Sequence, residues 1–111
     1  MKVYIAGPYS SDPLANTEKA IDLAEHLAQR GFIPYVPHLS HYWDMRWKHQ
    51  ADFWYQYDYH WLECCDCLIR LPGESRGADN EMQYMIELGK PVFLDVDSLL
   101  RWYKEKNIEI T

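Results

Sequence analysis

Residues 67–95 read CLIRLPGESRGADNEMQYMIELGKPVFLD, and this stretch decides the fold. An apolar run, CLIRLP, leads into a turn with two glycines, then into residues of helical spacing that stop before Gly89, and then into a second apolar run, PVFLD. Two short buried strands joined by a helix are typical of a parallel crossover unit. The stretch therefore predicts two strands with a helix from about Ala78 to Leu88 between them.

The same alternation extends toward the N-terminus. KVYIA, at positions 2–6, is a β-branched and aromatic run that ends at a Gly-Pro pair, and FIPYVP, at positions 32–37, is a second such run. Between them, small and apolar residues recur with helical spacing from Pro13 to a natural stop at Gly31. We therefore predict two further strands joined by another helix.

The remaining segments complete one domain, residues 1–111. A polar, aromatic segment from His38 to about Gln50 is predicted to be a loop, followed by a helix from about Ala51 to Cys64 and, at the end, by the amphipathic helix SLLRWYKEK. Strands that alternate with helices indicate a parallel sheet covered on both faces. We predict an α/β fold, a small doubly wound parallel sheet of flavodoxin-like order 2-1-3-4, in a Rossmann-like three-layer sandwich.

Composition limits the classes of partner. The chain carries 11 Lys and Arg against 17 Asp and Glu, a formal charge of -6, and contains no basic run. Because affinity for a nucleic-acid backbone comes from clustered cations, a nucleic-acid polymer is not an expected partner. A small phosphorylated ligand is compatible with this composition, since one or two Arg side chains and some backbone N–H groups suffice to hold it.

Targeting and cofactor signals are weak. The N-terminal apolar run breaks at Gly7-Pro8, far short of a signal-peptide core, and no segment suits a bilayer, so a cytoplasmic protein without a membrane partner is expected. Cys64, Cys65 and Cys67 lack a fourth ligand and regular spacing for zinc, which favours buried thiols over a metal site. Neither a G-x-G-x-x-G nor a Walker motif is present, and no cofactor is expected.

Ligands of doubly wound sheets bind beyond the carboxyl ends of the strands, near the point where the strand order reverses. Three loops are predicted to meet at that edge: GPYSS after the first strand, HLSHYWD after the second and PGESRGADNE after the third. The first loop offers Gly7, Pro8 and Tyr9 as ligand contacts, and the second offers His38.

The third loop has features of an anion site. Gly73 and Gly77 permit backbone conformations that other residues resist, and they bring N–H groups close to the space above the sheet. Ser75 and Arg76 add a hydroxyl and a guanidinium just before a helix N-terminus, where the helix dipole favours negative charge. A structural interpretation, which is the more common one for a bare Ser-x-Gly, is that Ser75 or Asp79 caps the helix and Arg76 is solvated.

Glu81 follows in the first turns of that helix and faces the same edge, where it can serve as a nucleophile or base. Asp58 lies on the preceding helix and Tyr4 in the first strand. A carboxylate nucleophile needs an orienting partner, such as a Tyr hydroxyl or a second carboxyl, and two carboxylates around a sugar are the working groups of glycosidic chemistry. Glu near a helix start is also common for dipole reasons alone, so position does not decide between these roles.

Three blocks carry a resemblance to a known family. They are KVYIAGPYS at the start, YDYHWLECCDCLIRLPG in the middle with Asp58 and Asp66 in the expected places, and SRGADNEMQYMIELGKPVF. Together they cover most of the chain and resemble the nucleoside 2-deoxyribosyltransferase-like proteins, which include the deoxynucleoside 5'-monophosphate N-glycosidases. The last block is similar to the family's signature, in which a Gly precedes the catalytic Glu and an apolar helix leads to a Lys-Pro-Val strand.

The resemblance implies roles for the site residues. Glu81 matches the nucleophile that attacks the anomeric carbon of a deoxyribose, Tyr4 matches a Tyr that orients this carboxylate, and Asp58 matches an acid that holds the sugar or steers the Glu. Six residues before the nucleophile, the transferases usually carry an Asp, whereas the N-glycosidases carry a Ser that binds the 5'-phosphate. Here this residue is Ser75, with Arg76 beside it, which favours hydrolysis of a nucleotide over transfer between nucleosides.

We therefore expect an enzyme that cleaves the N-glycosidic bond of a (deoxy)nucleoside or its 5'-monophosphate, as hydrolase or transferase. Assembly as a homodimer or larger oligomer is implied, since family members usually assemble in this way. GPYSS replaces a longer Gly- and Arg-bearing loop of the N-glycosidases, which motivates an alternative, a nucleotide-binding or sensor module without catalysis. The aromatic segment between Tyr42 and Trp61 suits base stacking, an aromatic core or the partner surface of an interaction domain.

Overall fold

The chain forms a four-stranded parallel sheet with helices on both faces. A computed structural model describes the backbone of residues 1–110 and the side chains of residues 1–106. The strands, in the spatial order β2-β1-β3-β4, are β1 Lys2–Ala6, β2 Ile33–Tyr35, β3 Cys67–Arg70 and β4 Val92–Phe93. The α-helices are α1 Pro13–Ala28, α2 Ser40–Arg46, α3 Ala51–Cys64, α4 Arg76–Glu87 and α5 Val96–Ile110. The predicted α/β class and strand order are confirmed.

The central strand β1 is buried on both faces, as expected for a parallel strand between two helical layers. Because successive side chains of a strand point to opposite faces, Val3 and Ile5 pack in one apolar cluster with residues of α1 and α5. Tyr4 and Ala6 belong to a second cluster with residues of α3 and α4. The alternation therefore carries the hydroxyl of Tyr4 under the α3 and α4 layer, where a buried hydroxyl needs a polar partner.

Residues 38–50, predicted to be a loop, contain most of a 3-10 helix, Pro37–Leu39, and all of helix α2. The Ser40 hydroxyl donates to the Pro37 carbonyl at 2.7 Å, which links the two helical turns. Helix α2 has only 7 residues, so its apolar periodicity is too short to stand out in the sequence. Its stability comes instead from aromatic packing against α3, for which Trp43 is the main contact.

Helix α4 begins two residues before the predicted position because Ser75 caps it. The Ala78 N–H donates to Ser75 Oγ at 3.1 Å, which satisfies one of the free donors of the first turn. The capping prediction for Ser75 is thus confirmed. Strand β1 has the predicted bounds. Strands β2, β3 and β4 are shorter than the apolar runs that predicted them, since each of these runs begins or ends at a proline, which cannot donate to a sheet.

The cysteines are free thiols in two different environments. Cys65 and Cys67 are buried, and burial raises the pKa of the Cys65 thiol to about 11 and that of Cys67 to about 12. Cys64 is exposed at the end of α3, so the prediction of a buried thiol is wrong for this residue. Within the described residues, no three His, Cys, Asp or Glu side chains are grouped to hold a metal.

Membrane insertion finds no support among the helices. In the part of the chain that the structure describes, none of them combines the length and the apolar character that crossing a bilayer requires.

Candidate active site

A cleft of about 280 Å³ opens at the carboxyl edge of the sheet. Its walls come from the loop after β1, the segment after β2, the middle of α3 and the start of α4. The sequence-predicted site residues that line it are Gly7, Tyr9, His38, Asp58, Ser75, Gly77 and Glu81. The lining residues that were not among the predicted site residues are Ser10, Pro37, Ser40, His41, Trp54, Tyr55 and Ala78.

Beneath the cleft, the Tyr4 hydroxyl donates a hydrogen bond to Oε2 of Glu81. Tyr4 is fully buried in β1, and Glu81 lies in the second turn of α4. Burial, together with the negative charges of Glu81 and Asp58, holds the pKa of Tyr4 well above its ordinary value. The hydroxyl therefore keeps its proton and fixes the direction of the Glu81 carboxyl group.

Asp58 and Glu81 are carboxyl groups in an environment that disfavours charge. Burial raises the pKa of Glu81 to about 8, the charge of Asp58 acts in the same direction, and the bond from Tyr4 opposes it. Burial also raises the pKa of Asp58 to about 7, and its Oδ1 atom has no hydrogen-bond partner among the described residues. Both carboxyl groups are therefore protonated more readily near neutral pH than a carboxyl group in water.

The raised pKa of Glu81 predicts how stability depends on pH. A carboxyl group whose folded pKa lies above its ordinary value of 4.5 stabilises the fold at low pH, and this contribution is lost as the pH rises to about 8. Because Glu81 is only partly buried, water screens part of this effect, and we expect a loss of unfolding free energy on the order of 2 kcal/mol. Urea denaturation at about pH 5 and about pH 9 measures it. Glu81→Gln is expected to lose less stability over this range, and an equal loss in both proteins contradicts the assignment.

The N-terminus of α4 presents polar groups to the cleft. Ser75 Oγ accepts from Ala78, which leaves the hydroxyl hydrogen available for donation to a ligand. Gly77 follows in the first turn, where backbone N–H groups have no intrahelical acceptor. Gly77 does not have a positive φ, so the prediction of an unusual backbone conformation is wrong for it. A Cβ atom added at this position would have no other atom within 4 Å. The absence of a side chain there keeps the cleft open.

Three predicted contacts lie outside the cleft lining. Arg76 is exposed and borders a second cavity, between α3 and α4. Pro8 and Gly73 instead pack on each other, so closely that a Cβ atom added to Gly73 would lie 2.8 Å from the Pro8 Cγ. Gly73 has a φ of +117°, which confirms the prediction of an unusual backbone conformation for this residue. Pro8 and Gly73 therefore hold two loops together and do not line the cleft themselves.

Arg70 was not identified from the sequence and is the main support of the third loop. It is buried at the end of β3, and its Nη2 donates to Asp79 Oδ1 at 2.8 Å and to the Gly73 carbonyl at 2.9 Å. It also donates to the carbonyls of Leu71 and Ser75. Asp79, considered as a possible helix cap, is therefore the partner of Arg70. The signal in the sequence is a lone cation in an apolar strand, because a buried cation needs acceptors around it.

His38 and His41 line the cleft from the segment that follows β2. Nε2 of buried His38 donates to the Pro8 carbonyl at 3.0 Å, since a carbonyl oxygen can only accept. His41 stacks on Tyr9 with ring centroids 3.3 Å apart. Burial lowers the pKa of both histidines, so both rings are neutral at neutral pH and add no positive charge to the cleft.

Comparison with known proteins identifies a family but no activity. No curated protein gives a significant match to the chain. A family model described as a domain of unknown function (DUF7768) matches residues 1–95, which include all four strands and the first four α-helices. Because this match covers most of the chain, the protein belongs to the DUF7768 family.

Proposed function

We propose that the protein cleaves the N-glycosidic bond of a (deoxy)nucleoside or its 5'-monophosphate through a covalent glycosyl-Glu81 intermediate. The observation that carries this proposal is the arrangement of Tyr4, Asp58 and Glu81: a carboxyl group oriented by a buried hydroxyl, with a second carboxyl in the same cleft. The resemblance of three sequence blocks to the nucleoside 2-deoxyribosyltransferase-like proteins supports the choice of substrate class.

The reaction has two steps. The reactive form is the one in which Glu81 is ionised and Asp58 carries the proton. The Glu81 carboxylate attacks C1' of the sugar, the bond from C1' to the base nitrogen breaks, and its electron pair leaves with the base, which takes the proton from Asp58. A water molecule then attacks C1' of the glycosyl ester, gives its proton to Asp58 and releases Glu81 as a carboxylate. An acceptor base in place of water makes the same sequence a transfer. Tyr4 keeps the carboxylate directed at C1' throughout.

The direct test is base release. The protein is incubated with a panel of purine and pyrimidine nucleosides, 2'-deoxynucleosides and their 5'-monophosphates, and free base is followed by chromatography. Release from any of them supports the proposal. A folded sample that releases no base from the whole panel overturns it.

Ser75 is expected to determine whether a 5'-phosphate is accepted, because it lies at the helix N-terminus that borders the cleft. Ser75→Asp keeps the capping acceptor and adds a negative charge, so repulsion should lower kcat/KM for a 5'-monophosphate by about 100-fold. We expect kcat/KM for the corresponding nucleoside to change by less than about 3-fold. Steady-state kinetics on both substrates measures the difference.

Ser75→Asn is the matched control, since it caps the helix without a charge. It should retain most of the activity on the 5'-monophosphate. Ser75→Ala is a poorer choice, because loss of the cap alone costs about 1 kcal/mol. If Ser75→Asp affects nucleoside and nucleotide equally, Ser75 does not contact the phosphate.

A second candidate function is nucleotide binding without chemistry. It is favoured by the pKa of about 8 for Glu81, which leaves most of this carboxyl group protonated at neutral pH in the empty cleft and therefore poor as a nucleophile. Calorimetry distinguishes the two functions. Nucleotide binding without release of base over hours identifies a binding or sensor module.

A further inference from the structure

Trp54 lines the cleft and is surrounded by other aromatic side chains. It lies on α3 and is partly buried. The rings of Trp43, Phe53 and Tyr57 stand nearly perpendicular to it, with centroids 5.2, 4.8 and 5.6 Å away. Among the described residues, no aromatic ring stacks parallel on Trp54. The neighbouring rings therefore surround Trp54 edge to face, and none of them stacks on it.

Asp44 fixes the orientation of this ring. Its Oδ1 atom accepts a hydrogen bond from the Trp54 Nε1–H at 2.7 Å and another from the His49 N–H at 2.9 Å. The second bond closes the turn between α2 and α3, and the two bonds lower the pKa of Asp44, so it is ionised at neutral pH. Asp44 does not line the cleft. It therefore acts on a ligand only through Trp54 and the turn.

The spacing on α3 places Trp54 next to the reacting groups. Trp54 and Asp58 are four residues apart on one helix, so their side chains lie on the same face, one turn apart. Asp58 shares the cleft with Glu81, which is proposed to attack C1'. The ring attached to C1' is the base, and two aromatic residues of the cleft, Trp54 and Tyr55, lie one helical turn from the group proposed to protonate it. Trp54 is the one whose ring is oriented by a hydrogen bond from its own Nε1–H.

We propose that Trp54 is the surface on which the base of the ligand packs, and that Asp44 is a positioning residue that holds this surface. The identity of the ligand as a nucleoside or nucleotide rests on the proposed function. Stacking on an aromatic ring tolerates every base, because each base has a π-face. Recognition by Trp54 therefore predicts broad base specificity with stronger binding of purines, which offer the larger ring.

The test compares a ligand that has a base with one that lacks it. 2'-Deoxyadenosine 5'-monophosphate and 2-deoxyribose 5-phosphate are titrated by calorimetry into protein carrying Glu81→Gln, which prevents turnover. In this background Trp54→Leu should weaken binding of the nucleotide by about 10- to 100-fold. It should change binding of the sugar phosphate by less than about 3-fold, since the sugar phosphate has no ring to stack.

Asp44 is tested with a graded pair of variants. Asp44→Ala removes the acceptor for Trp54 and should weaken nucleotide binding by about 10-fold, whereas Asp44→Asn keeps a carbonyl acceptor and should restore most of the affinity. Asp22→Ala, at an exposed position on α1, is the control. Tryptophan emission gives a second readout: the nucleotide should quench it in the parent protein and not in Trp54→Leu, although the other tryptophans remain.

The outcomes separate this inference from the proposed function. If Trp54→Leu weakens binding of the nucleotide and of the sugar phosphate equally, Trp54 is a structural residue. If Trp54→Leu changes neither the nucleotide affinity nor the quenching, Trp54 does not contact the ligand. Either result overturns the inference even when base release is observed. Base-dependent binding without base release from the wild type leaves the inference standing and overturns the proposed function. A folded protein that binds neither the nucleotide nor 2'-deoxyadenosine and releases no base from the panel overturns both.

Discussion

Glu81→Gln is expected to reduce base release by at least about 10³-fold while leaving the fold intact. The amide keeps the size of the side chain and an oxygen that accepts from the Tyr4 hydroxyl, but it cannot attack C1'. Above about pH 8 the variant should also unfold at a higher urea concentration than the wild type, because it no longer buries a charge. Loss of activity together with a gain of stability is the signature of a residue retained for chemistry.

Glu87→Gln provides the matched control, since Glu87 is exposed on the same helix and the substitution is the same. Its activity and its stability should both equal those of the wild type.

Tyr4 gives an intermediate case. Tyr4→Phe keeps the carboxylate but removes its orienting donor, so the rate of base release is expected to decrease by less than in Glu81→Gln. Normal turnover by Glu81→Gln excludes Glu81 as the nucleophile.

Arg70→Met is expected to destabilise the fold by about 3 kcal/mol, the largest effect we predict for a residue outside the cleft. Methionine fills a similar volume but leaves the carbonyls of Leu71, Gly73 and Ser75 without their common donor. Arg70→Lys should recover only part of the loss, because one ammonium group cannot reproduce the planar fork. Urea denaturation measures the change in the free energy of unfolding.

Asp79→Asn gives the contrasting expectation. The Asp79 side chain is 63% exposed, so its ion pair with Arg70 is screened by water, and removing its charge should cost less than about 1 kcal/mol. Arg101→Met, at an exposed site on α5, controls for loss of an arginine. Because Arg70→Met removes both the ion pair and the carbonyl contacts, an effect of Asp79→Asn as large as that of Arg70→Met means that the ion pair supports the loop.

The sheet could be predicted because its sequence signals are local. Each strand is a short apolar run bounded by Gly or Pro, and the handedness and covering rules for parallel strands then leave few possible orders. Helix α2 could not be predicted in this way, because its stability depends on Trp43 packing against residues of a different helix. Without knowledge of the packing against α3, the His, Ser and Trp residues of this segment are typical of a polar loop.

The candidate site also contains residues that the sequence predicts and contacts that it does not predict. Tyr4, Asp58 and Glu81 could be selected because their residue types and elements were evident, and the structure brings Asp58 and Glu81 into one cleft above Tyr4. The bond between Asp44 and Trp54 joins two helices, one of which was not foreseen. The contact between Pro8 and Gly73 depends on the distance between loops that are far apart in sequence, which no local pattern encodes.

The central position of β1 has a consequence for synthesis on the ribosome. Val3 and Tyr4 pair with Cys67 and Leu68, so the first strand to leave the ribosome is completed by one made more than half a chain later. Until β3 emerges, β1 exposes an unpaired edge, and the face that carries Tyr4 lacks helix α4, which follows β3 in the sequence. A ribosome that stalls before residue 67 therefore presents a nascent chain with an open strand edge, which is the kind of surface that chaperones bind and that aggregates form on.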